Sequence, residues 1–384
     1  MNVLHVVSSI DPKAGGVAQA IKTMIMGLSE MQVVNEVVCL DDTESYFVKN
    51  LPFDVHTMGP AKTSWKYAPL LLKWLNKNIG RFDVVIVHGL WQYHTFASYL
   101  AYSSLHNKKP KLFVMPHGML DPYFQRAKGR KLKALRNWVF WKLIEYRLVN
   151  SSTGMLFTCE TELSLAEQTF APYHPKAKHV VGLGVTSPPP FSLAMKSAFI
   201  EKAGGIPSDF LLFLGRIHQK KGVDLLVKAY LKLRDEKDDL PYLVIAGPGL
   251  ESEFGADIIK LVNNNRYILF PGMLTGDAKW GAFYCSGAFI LPSHQENFGI
   301  AVVEAMSSGK PVLISDQVNI WKEIEIGGAG VVGKNNESGT YTMLKNWFEK
   351  SSAEKREMCN SAKRTFDVHF SVENASRCLF EAIK

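Results

Sequence analysis

The chain contains few cysteines, and none is paired at the spacing of a metal or redox site. The five, Cys39, Cys159, Cys285, Cys359 and Cys378, are scattered along 384 residues without a CxxC pair. This distribution excludes a disulfide framework and a zinc-finger type of site, and it is typical of reduced thiols in the cytoplasm. We therefore predict a cytoplasmic protein that holds no metal through its cysteines.

Long apolar runs are also missing. No segment approaches the roughly 20 consecutive apolar residues of a membrane-spanning helix. The stretch MNVLHVVSSI, residues 1–10, lacks a basic flank, and its apolar run is shorter than the core of a signal peptide. We expect this stretch to form a buried first strand.

The sequence has the composition of a globular protein with an anionic partner. Hydrophobic residues make up 47% and charged residues 21% of the chain, and its length is that of about two domains. The formal net charge is +8. A basic balance of this size favours nucleic acid, a membrane surface or a phosphorylated small molecule as partner, and does not choose among them.

Short apolar runs alternate with helical patterns. VLHVV (3–7) and FDVVIVH (82–88) are each followed by an amphipathic stretch, which is typical of parallel sheets covered by helices. GVTSPPPFS (184–192) indicates a linker because its three prolines fit neither a helix nor a central strand. We predict an α/β protein with two Rossmann-like, doubly wound domains, 1–187 and 188–365. Ligands of such sheets bind beyond the carboxyl ends of the strands, so we expect the site in a cleft between the domains.

Two glutamates bracket the start of a predicted helix in HQENFGIAVVEAM, residues 294–306. A helix that begins near Asn297 to Gly299 and stops at Gly309 places Glu296 just ahead of it and Glu304 roughly 8 Å along its axis. The free N–H groups of the first turn form a seat for phosphate between the two carboxylates. This arrangement matches a nucleotide sugar, which has hydroxyls at both ends and a diphosphate between them. The alternative is a dipole partner at Glu296 and a solvated Glu304.

Cations follow the first predicted strand of the second domain. In FLLFLGRIHQKKG, residues 210–222, Arg216 comes directly after the strand, and Lys220 and Lys221 lie in the loop. Arginine binds a diphosphate by a forked contact and lysine as a point charge. A solvated basic loop is the alternative, above all for Lys220.

A glycine pair follows the first predicted strand. Gly15 and Gly16 let backbone N–H groups approach an anion, although a plain tight turn is equally compatible. The pair does not form a GxGxxG pattern, and the chain has no Walker sequence. The fingerprints of dinucleotide oxidoreduction and of P-loop ATP hydrolysis are therefore missing.

Polar and aromatic residues follow two further strands of the first domain. His117 and Asp121 lie in FVMPHGMLDPYF, residues 113–124. A histidine there can hydrogen-bond sugar hydroxyls or transfer a proton, or it can be structural. Trp91 and Tyr93 follow the preceding strand, where they can stack on an acceptor or pack in the core.

A basic segment spans residues 126–147. It holds eight basic residues against one acidic residue. Its apolar residues recur near helical spacing, so we expect one face to pack on the sheet; they are Leu132, Leu135, Val139, Leu143 and Tyr146. The opposite face is either solvated or suited to an anionic membrane or acceptor. Nucleic acid is not expected, because no recognition motif accompanies the charge.

Together these segments resemble family 4 of the retaining glycosyltransferases, which have the GT-B fold. The resemblance covers essentially the whole chain and rests on the glycine loop, PHGMLDP, GRIHQKKG, AGPG at 246–249 and the E-x7-E of HQENFGIAVVE. The middle segments are most similar to bacterial enzymes that assemble exopolysaccharides and other surface glycans. Gln295 departs from the pattern, since many relatives have an acidic residue or proline near that position.

The resemblance implies a role for each residue. Glu296 and His117 are implied to contact the donor sugar, Arg216 and Lys221 the diphosphate, and Glu304 the ribose. The remaining implied donor-binding residues are Gly15, Gly16, Gly272, Met273, Leu274, Asn297, Phe298, Gly299 and Ile300. The expected acceptor residues are Trp91, Tyr93 and Asp121. Residues 366–384 are implied to return to the first domain.

The predicted reaction is retaining transfer of a hexosyl group from a nucleotide diphosphate sugar, with UDP-glucose as first donor. The acceptor is expected to be a saccharide or lipid-linked saccharide in polysaccharide biosynthesis, at the inner face of the membrane. Neither a cofactor nor a metal is expected. Front-face attack is favoured over a double displacement through Glu296. The alternatives are a GT-B epimerase or phosphorylase, and a non-catalytic basic scaffold that binds a membrane.

Overall fold

The computed structural model describes residues 1–49, 51–106, 109–127, 129–205 and 209–384. The chain divides into two compact units. The first comprises Met1–Gly184 and Val372–Lys384, and the second comprises Val185–Ser371. The chain thus passes between the units after Gly184 and after Ser371, where the sequence analysis places the passages after residues 187 and 365.

The first unit contains a parallel sheet with the strand order β3-β2-β1-β4-β5-β6-β7. Its strands are β1 (Asn2–Val6), β2 (Val34–Cys39), β3 (Asp54–Thr57), β4 (Val84–His88), β5 (Lys111–Met115), β6 (Gly154–Phe157) and β7 (Lys178–Val180). Every residue of β4 is buried, because helices cover both faces of a doubly wound sheet. The chain winds outward from β1 to β3 and then returns to β4, so the winding direction reverses between β1 and β4.

Seven helices connect these strands in the described part of the first unit. They are α1 (Gly16–Glu30), α2 (Pro69–Asn78), α3 (Tyr93–Ser103), α4 (Tyr123–Arg126), α5 (Lys131–Phe140), α6 (Tyr146–Ser151) and α7 (Glu160–Ala166). A π-helical segment, Trp141–Glu145, joins α5 to α6.

The second unit repeats the plan with the strand order β10-β9-β8-β11-β12-β13. Its strands are β8 (Phe210–Leu214), β9 (Tyr242–Ala246), β10 (Ile268–Gly272), β11 (Ala288–Leu291), β12 (Val312–Ser315) and β13 (Gly330–Gly333). Its helices are α8 (Leu193–Lys202), α9 (Val223–Glu236), α10 (Glu253–Val262), α11 (Gly276–Cys285), α12 (Ile300–Ser307), α13 (Trp321–Ile326), α14 (Glu337–Glu349) and α15 (Ser352–His369). The winding reverses between β8 and β11. The predicted fold class, two doubly wound parallel-sheet domains, is confirmed.

The last helix, α16 (Val372–Ile383), belongs to the first unit and packs against α1. A Cβ atom at Gly27 of α1 would lie 1.8 Å from Oγ of Ser376, so only glycine permits this approach of the two helices. Residues 366–371, which the resemblance also assigned to the first domain, belong to the second unit, because α15 extends to His369 and packs on α12 and α13.

The predicted packing of the basic segment is wrong. Four of the apolar side chains expected to face the sheet are exposed, namely Leu132, Leu135, Val139 and Leu143. The buried positions are Asn137, Trp141 and Glu145, spaced four residues apart along α5 and the π-helical segment. Two of these three buried residues are polar. The spacing of apolar residues therefore could not identify this face as the buried one. Lys128 of the segment lies outside the described residues.

Candidate active site

The loops after β8 and β11 lie side by side at the point where the winding of the second sheet reverses. The two strands are neighbours in the sheet. The carbonyl oxygen of Lys220, in the first loop, accepts hydrogen bonds from the N–H of His294 (2.8 Å) and the hydroxyl of Ser293 (2.9 Å), in the second. Ligands of doubly wound sheets bind at such reversal points, and Arg216, Lys221 and Glu296 follow the two strands that meet at this one.

Gly222 allows the first loop to approach the second. Its φ is +67°, and a Cβ atom there would lie 2.0 Å from the carbonyl oxygen of Pro292. Both the left-handed backbone and the missing side chain are therefore required. The turn directs Lys221 toward the loop after β11, whereas Arg216 in the same loop is exposed and has no hydrogen bond or ion pair in the described residues.

The predicted helix after β11 is α12. It begins at Ile300, with Gly299 at φ 75° as its N-cap, and Gly309 beyond its end has a φ of +70°. These glycines confirm the predicted start and stop. The N–H of Val302 donates to the carbonyl oxygen of Gly299 (2.8 Å). Since Gly299 has no side chain to cap the helix, the N–H groups of Ile300 and Ala301 are left for another acceptor.

Glu296 lies just ahead of α12 and is fixed by several contacts. Nζ of Lys221 donates a hydrogen bond to its Oε2, and each side chain is 19% exposed. The backbone of Glu296 donates to the carbonyl oxygen of Gln317 (2.9 Å) and accepts from the N–H of Asn319 (2.9 Å). The carboxylate is thus held in place between the two loops.

Glu304 is held by a cation that the sequence analysis did not identify. Nζ of Lys279, on α11, lies 2.8 Å from Oε1 of Glu304. The two side chains are 23% and 16% exposed, so Glu304 is not a solvated helix residue. No pattern around Lys279 points to α12; only the packing of α11 brings the two side chains together.

The other predicted donor residues of the second unit are divided between surface and core. Gly272 and Met273 are exposed at the end of the edge strand β10, whereas Leu274 is buried. Phe298 is buried against the ring of Phe370, at a centroid distance of 5.7 Å. Oδ1 of Asn297 accepts a hydrogen bond from Asn319 (3.3 Å), and Ile300 opens α12.

The glycine pair of the first unit lies at the corresponding reversal point. Gly15 and Gly16 follow β1 and are exposed at the start of α1. Gly15 has a φ of +116°, and a Cβ atom there would meet nothing within 4 Å. The glycine is therefore required by its backbone conformation rather than by crowding.

His117 follows β5 and has a left-handed backbone with a φ of 50°. Its Nε2 lies 2.9 Å from Nδ1 of His88, the last residue of β4. The next N–H, of Gly118, donates to the buried carboxylate of Glu162, which also accepts two hydrogen bonds from Thr158. Burial lowers the pKa of His117 to about 4, so the ring is neutral at neutral pH.

The structure brings Trp91 close to a second residue that the sequence analysis missed. The N–H of Trp91, which has a φ of 75°, donates to Oε1 of the buried Glu145 at 2.8 Å. Burial raises the pKa of Glu145 to about 7. The ring of Trp91 packs against Phe170.

Tyr93 and Asp121 occupy structural positions. Tyr93 is 4% exposed, and its ring meets those of Trp65 and Tyr67 edge-on. This burial favours core packing, the alternative that the sequence left open for Tyr93. Asp121 is buried and accepts a hydrogen bond from the N–H of Tyr123 (2.8 Å), the first residue of α4.

The described ranges contain neither a candidate metal cluster nor a candidate membrane-spanning helix. No group of three or more His, Cys, Asp or Glu side chains there is arranged to hold a metal ion. Nor is any helix in these ranges both long enough and apolar enough to cross a membrane.

Curated proteins with similar sequences are glycosyltransferases. An uncharacterized glycosyltransferase of Methanocaldococcus jannaschii is 29% identical over 181 residues, which is 43% of this chain and 46% of that protein. The O-antigen biosynthesis glycosyltransferase WclY of Escherichia coli is 26% identical over 203 residues, 50% of this chain and 55% of that protein. The matches therefore span about half of the length of these relatives.

Solved structures share the fold over the full chain. A glycosyltransferase from Rickettsia africae superposes with a TM-score of 0.77 at 16% identity and covers 100% of this chain and 97% of its own. HepE of Anabaena, in complex with UDP and glucose, has a TM-score of 0.74 at 15% identity, with 100% and 99% coverage.

Two family models match consecutive parts of the chain. Residues 15–184 match the glycosyl transferase 4-like domain, and residues 198–366 match the glycosyl transferases group 1. The two matches meet near the passage between the units and together span most of the sequence. The chain therefore belongs to the glycosyltransferase family that combines these two domains, as its resemblance to family 4 and the GT-B fold predicted.

Proposed function

We propose that the protein transfers a hexosyl group from a nucleotide diphosphate sugar to a saccharide or lipid-linked saccharide acceptor in glycan biosynthesis. The observation that carries this proposal is the amino end of α12, which is flanked by two largely buried glutamates, each paired with a lysine. UDP-glucose is the first donor to test, because crystals of HepE hold it. WclY, a relative by sequence, is named for O-antigen biosynthesis.

Each charged group has a distinct part in donor binding. Glu296 accepts hydrogen bonds from the sugar hydroxyls and Glu304 from those of the ribose, with the diphosphate against the first turn of α12. Arg216, which is exposed and unpaired in the described residues, is free to take a diphosphate oxygen by a forked contact. Lys221 pairs with Glu296 in the free protein, and its ammonium group can also contact the diphosphate once the donor is bound.

The proposed chemistry is retaining front-face transfer. The bond between the anomeric carbon and the phosphate oxygen breaks, and the acceptor oxygen bonds to that carbon on the same face. The acceptor proton passes to the departing phosphate oxygen. Arg216, Lys221 and the amino end of α12 stabilise the negative charge that develops there. These groups supply the charge that a metal would supply, so the proposed reaction needs none.

The test compares Glu296→Gln and Lys221→Ala with the wild type on a panel of nucleotide diphosphate sugars. We expect each substitution to lower kcat by about 100-fold or more, as for the loss of one preorganised charge partner. Lys228→Ala is the matched control, because Lys228 pairs with Glu337 on the exposed surface of the same unit. Full activity of the Glu296 and Lys221 variants would exclude the assigned site.

Further measurements separate this reaction from its alternatives. Proton NMR of the product is expected to show the anomeric configuration of the donor, and an inverted product contradicts front-face transfer. Activity is expected to persist in a chelator. A nucleotide sugar that is epimerised when incubated alone would instead identify an epimerase.

We also propose that the protein works on the cytoplasmic side of an anionic membrane through α5. The surface of α5, the π-helical segment and the start of α6 combines exposed apolar residues, Leu132, Leu135, Trp138, Val139 and Leu143, with exposed cations, Lys131, Lys133, Arg136, Lys142 and Arg147. Exposed apolar residues interspersed with cations along one segment suit the interface of anionic lipid. Such a surface places the protein where a lipid-linked acceptor is available.

Sedimentation with vesicles tests the membrane proposal. We expect binding to vesicles that contain phosphatidylglycerol and weaker binding to pure phosphatidylcholine, with a decrease at high salt. The triple substitution Leu132→Gln, Leu135→Gln and Leu143→Gln is expected to abolish binding. Leu70→Gln is the control, because Leu70 is 54% exposed on α2 of the same unit. A wild type that stays in solution with the anionic vesicles at low salt rules the proposal out.

A further inference from the structure

A chain of four polar side chains crosses the sheet of the first unit and ends at His117. Asn35 on β2, His5 on β1 and His88 on β4 are buried and precede it in this order. Oδ1 of Asn35 lies 3.2 Å from Nε2 of His5, Nδ1 of His5 lies 3.0 Å from Nε2 of His88, and Nδ1 of His88 lies 2.9 Å from Nε2 of His117. The chain follows the spatial order of the strands.

The strand register keeps the chain on one face. Each member lies two residues beyond the position paired with the previous member. The paired positions are Val3 for Asn35, Ile86 for His5 and Met115 for His88. Since side chains alternate between the faces of a sheet, steps of two residues keep all the rings on the same side. The diagonal ends beyond the carboxyl edge of β5.

Asn35 gives the chain its direction. Its Nδ2 donates to the carbonyl oxygen of Val33 (3.0 Å), so Oδ1 faces His5. An amide oxygen only accepts hydrogen bonds, and Nε2 of His5 must therefore carry the hydrogen. The same reasoning passes along the chain because a neutral imidazole has one donor and one acceptor: His88 donates to His5, and His117 donates to His88.

The rings of the chain are neutral at neutral pH. Burial lowers the pKa of His5 and His117 to about 4 and that of His88 well below its ordinary value. At the end of the chain, Nδ1 of His117 has no hydrogen-bond partner in the described residues and is not buried.

We infer that Asn35, His5 and His88 are positioning residues that hold His117 as the tautomer protonated on Nε2, so that its Nδ1 accepts a hydrogen bond from a hydroxyl of the substrate sugar. The part played by that hydroxyl rests on the proposed transferase function. The direction of the hydrogen bonds from Asn35 to His117 does not depend on that function. An unprotonated Nδ1 accepts but cannot donate, so the substrate group at this point must be a hydrogen-bond donor, as a sugar hydroxyl is.

Nitrogen-15 NMR of histidine-labelled protein reads the tautomer directly. Long-range proton–nitrogen correlations distinguish Nε2–H from Nδ1–H imidazole, and His117→Gln identifies the signal of His117. We expect Nε2–H for His117 in the wild type at neutral pH. In His5→Leu, which removes the acceptor of His88, we expect both tautomers of His117.

Steady-state kinetics supply the second readout. His5→Leu is expected to lower kcat by about two- to tenfold, the range of one buried hydrogen bond. His5→Gln is expected to restore both the tautomer and kcat, because an amide can donate to Asn35 and accept from His88. It also serves as the test variant if the leucine substitution prevents folding. His94→Leu is the matched control: His94 is buried beside His88 and bonds only its carbonyl oxygen, so it lies outside the chain.

The possible outcomes are distinct. The inference is overturned if His117 is protonated on Nδ1 in the wild type, or if His5→Leu changes neither the tautomer nor kcat. An effect of His94→Leu equal to that of His5→Leu also overturns it, because a general packing defect would then explain both. If the tautomer is as expected but no nucleotide sugar supports transfer, the proposed function and the role of the hydroxyl fail together, while the directed chain stands.

Discussion

At the residue scale, lysines set the charge of the proposed donor site. Glu296 and Glu304 each pair with a lysine that comes from another element, and all four side chains are less than a quarter exposed. Because paired charges in a partly buried site are screened less than surface pairs, the lysines hold both carboxylates in fixed orientations. The site is thus arranged before a donor arrives.

The ribose role of Glu304 is tested by donor binding. We expect Glu304→Ala to weaken UDP-glucose binding by about tenfold or more, the range of a hydrogen bond to a charged group. The measurement is calorimetric titration. The control is Asp316→Ala, which breaks the pair of Asp316 with Lys334, whose side chain is 80% exposed, in the same unit. Unchanged affinity in Glu304→Ala counts against the role.

The buried carboxyl of Glu145 predicts a pH-dependent effect on stability. Its pKa rises from 4.5 to about 7 on burial, so its contribution to stability is present below about 4.5 and is lost as the pH rises through about 7. Glu145→Gln removes this titration. We therefore expect the Tm of the variant, relative to wild type, to increase between pH of about 5 and about 8. A Tm difference that does not vary with pH would show that Glu145 does not titrate in this range.

Sequence patterns located the charged residues that stand next to strand ends or helix starts, such as Arg216 and Glu296. They did not locate Lys279 or Glu145. Each of these acts on a residue of another element, more than 20 positions away along the chain. A single sequence shows only how residues are spaced along the chain. These contacts depend instead on how helices pack against each other.

At the scale of elements, one glycine controls how two loops meet. Gly222 has a left-handed backbone and no room for a Cβ atom, whereas Gly309 has a left-handed backbone with nothing within 4 Å. We expect Gly309→Ala to cost about 1 kcal/mol from backbone strain alone. Gly222→Ala is expected to cost at least about 2 kcal/mol, because the clash with Pro292 is added. Thermal unfolding measures both, and equal losses of Tm would contradict the close approach.

The segment from α5 to α6 shows why a helical pattern can mislead. The apolar residues of α5 follow helical spacing, yet they are exposed, and the buried face carries Asn137, Trp141 and Glu145. The π-helical turn at Trp141–Glu145 changes the angle between successive residues, so a pattern with a single period does not describe the segment. Periodicity predicted the helix but assigned the wrong face.

At the scale of the whole molecule, the alternation of strands and helices was sufficient to predict two doubly wound domains. The order of strands in each sheet could not be predicted, because the apolar runs are all short and rich in Val, Ile, Leu and Phe and do not identify their neighbours. That order decides where the winding reverses, between β1 and β4 and between β8 and β11. Several residues that the sequence predicted to bind the donor follow strands at these points: the glycine pair, Arg216, Lys221 and Glu296. The reversal points explain why predicted ligand-binding residues occur in loops that are far apart in sequence.

The histidines of the first unit predict acid sensitivity of the fold. Burial lowers the pKa of His5, His94 and His117 from 6.5 to about 4, and it lowers the pKa of His88 well below 6.5. Their contribution is present above about 6.5 and is lost as the pH falls toward 4, because the unfolded chain binds the protons. Four histidines contribute in this direction, whereas Glu145 contributes in the opposite direction. We expect the Tm to fall on acidification in this range, and His94→Gln to reduce the slope; a constant Tm would contradict neutral buried rings.

The position of α16 has a consequence for synthesis of the protein on the ribosome. The helix completes the first unit, but it is translated only after all of Val185–Ser371. Because domains fold as units while the nascent chain emerges, the second unit can reach its final form while the surface of α1 around Gly27 is still uncovered. The half of the molecule that is made first is therefore the half that is finished last.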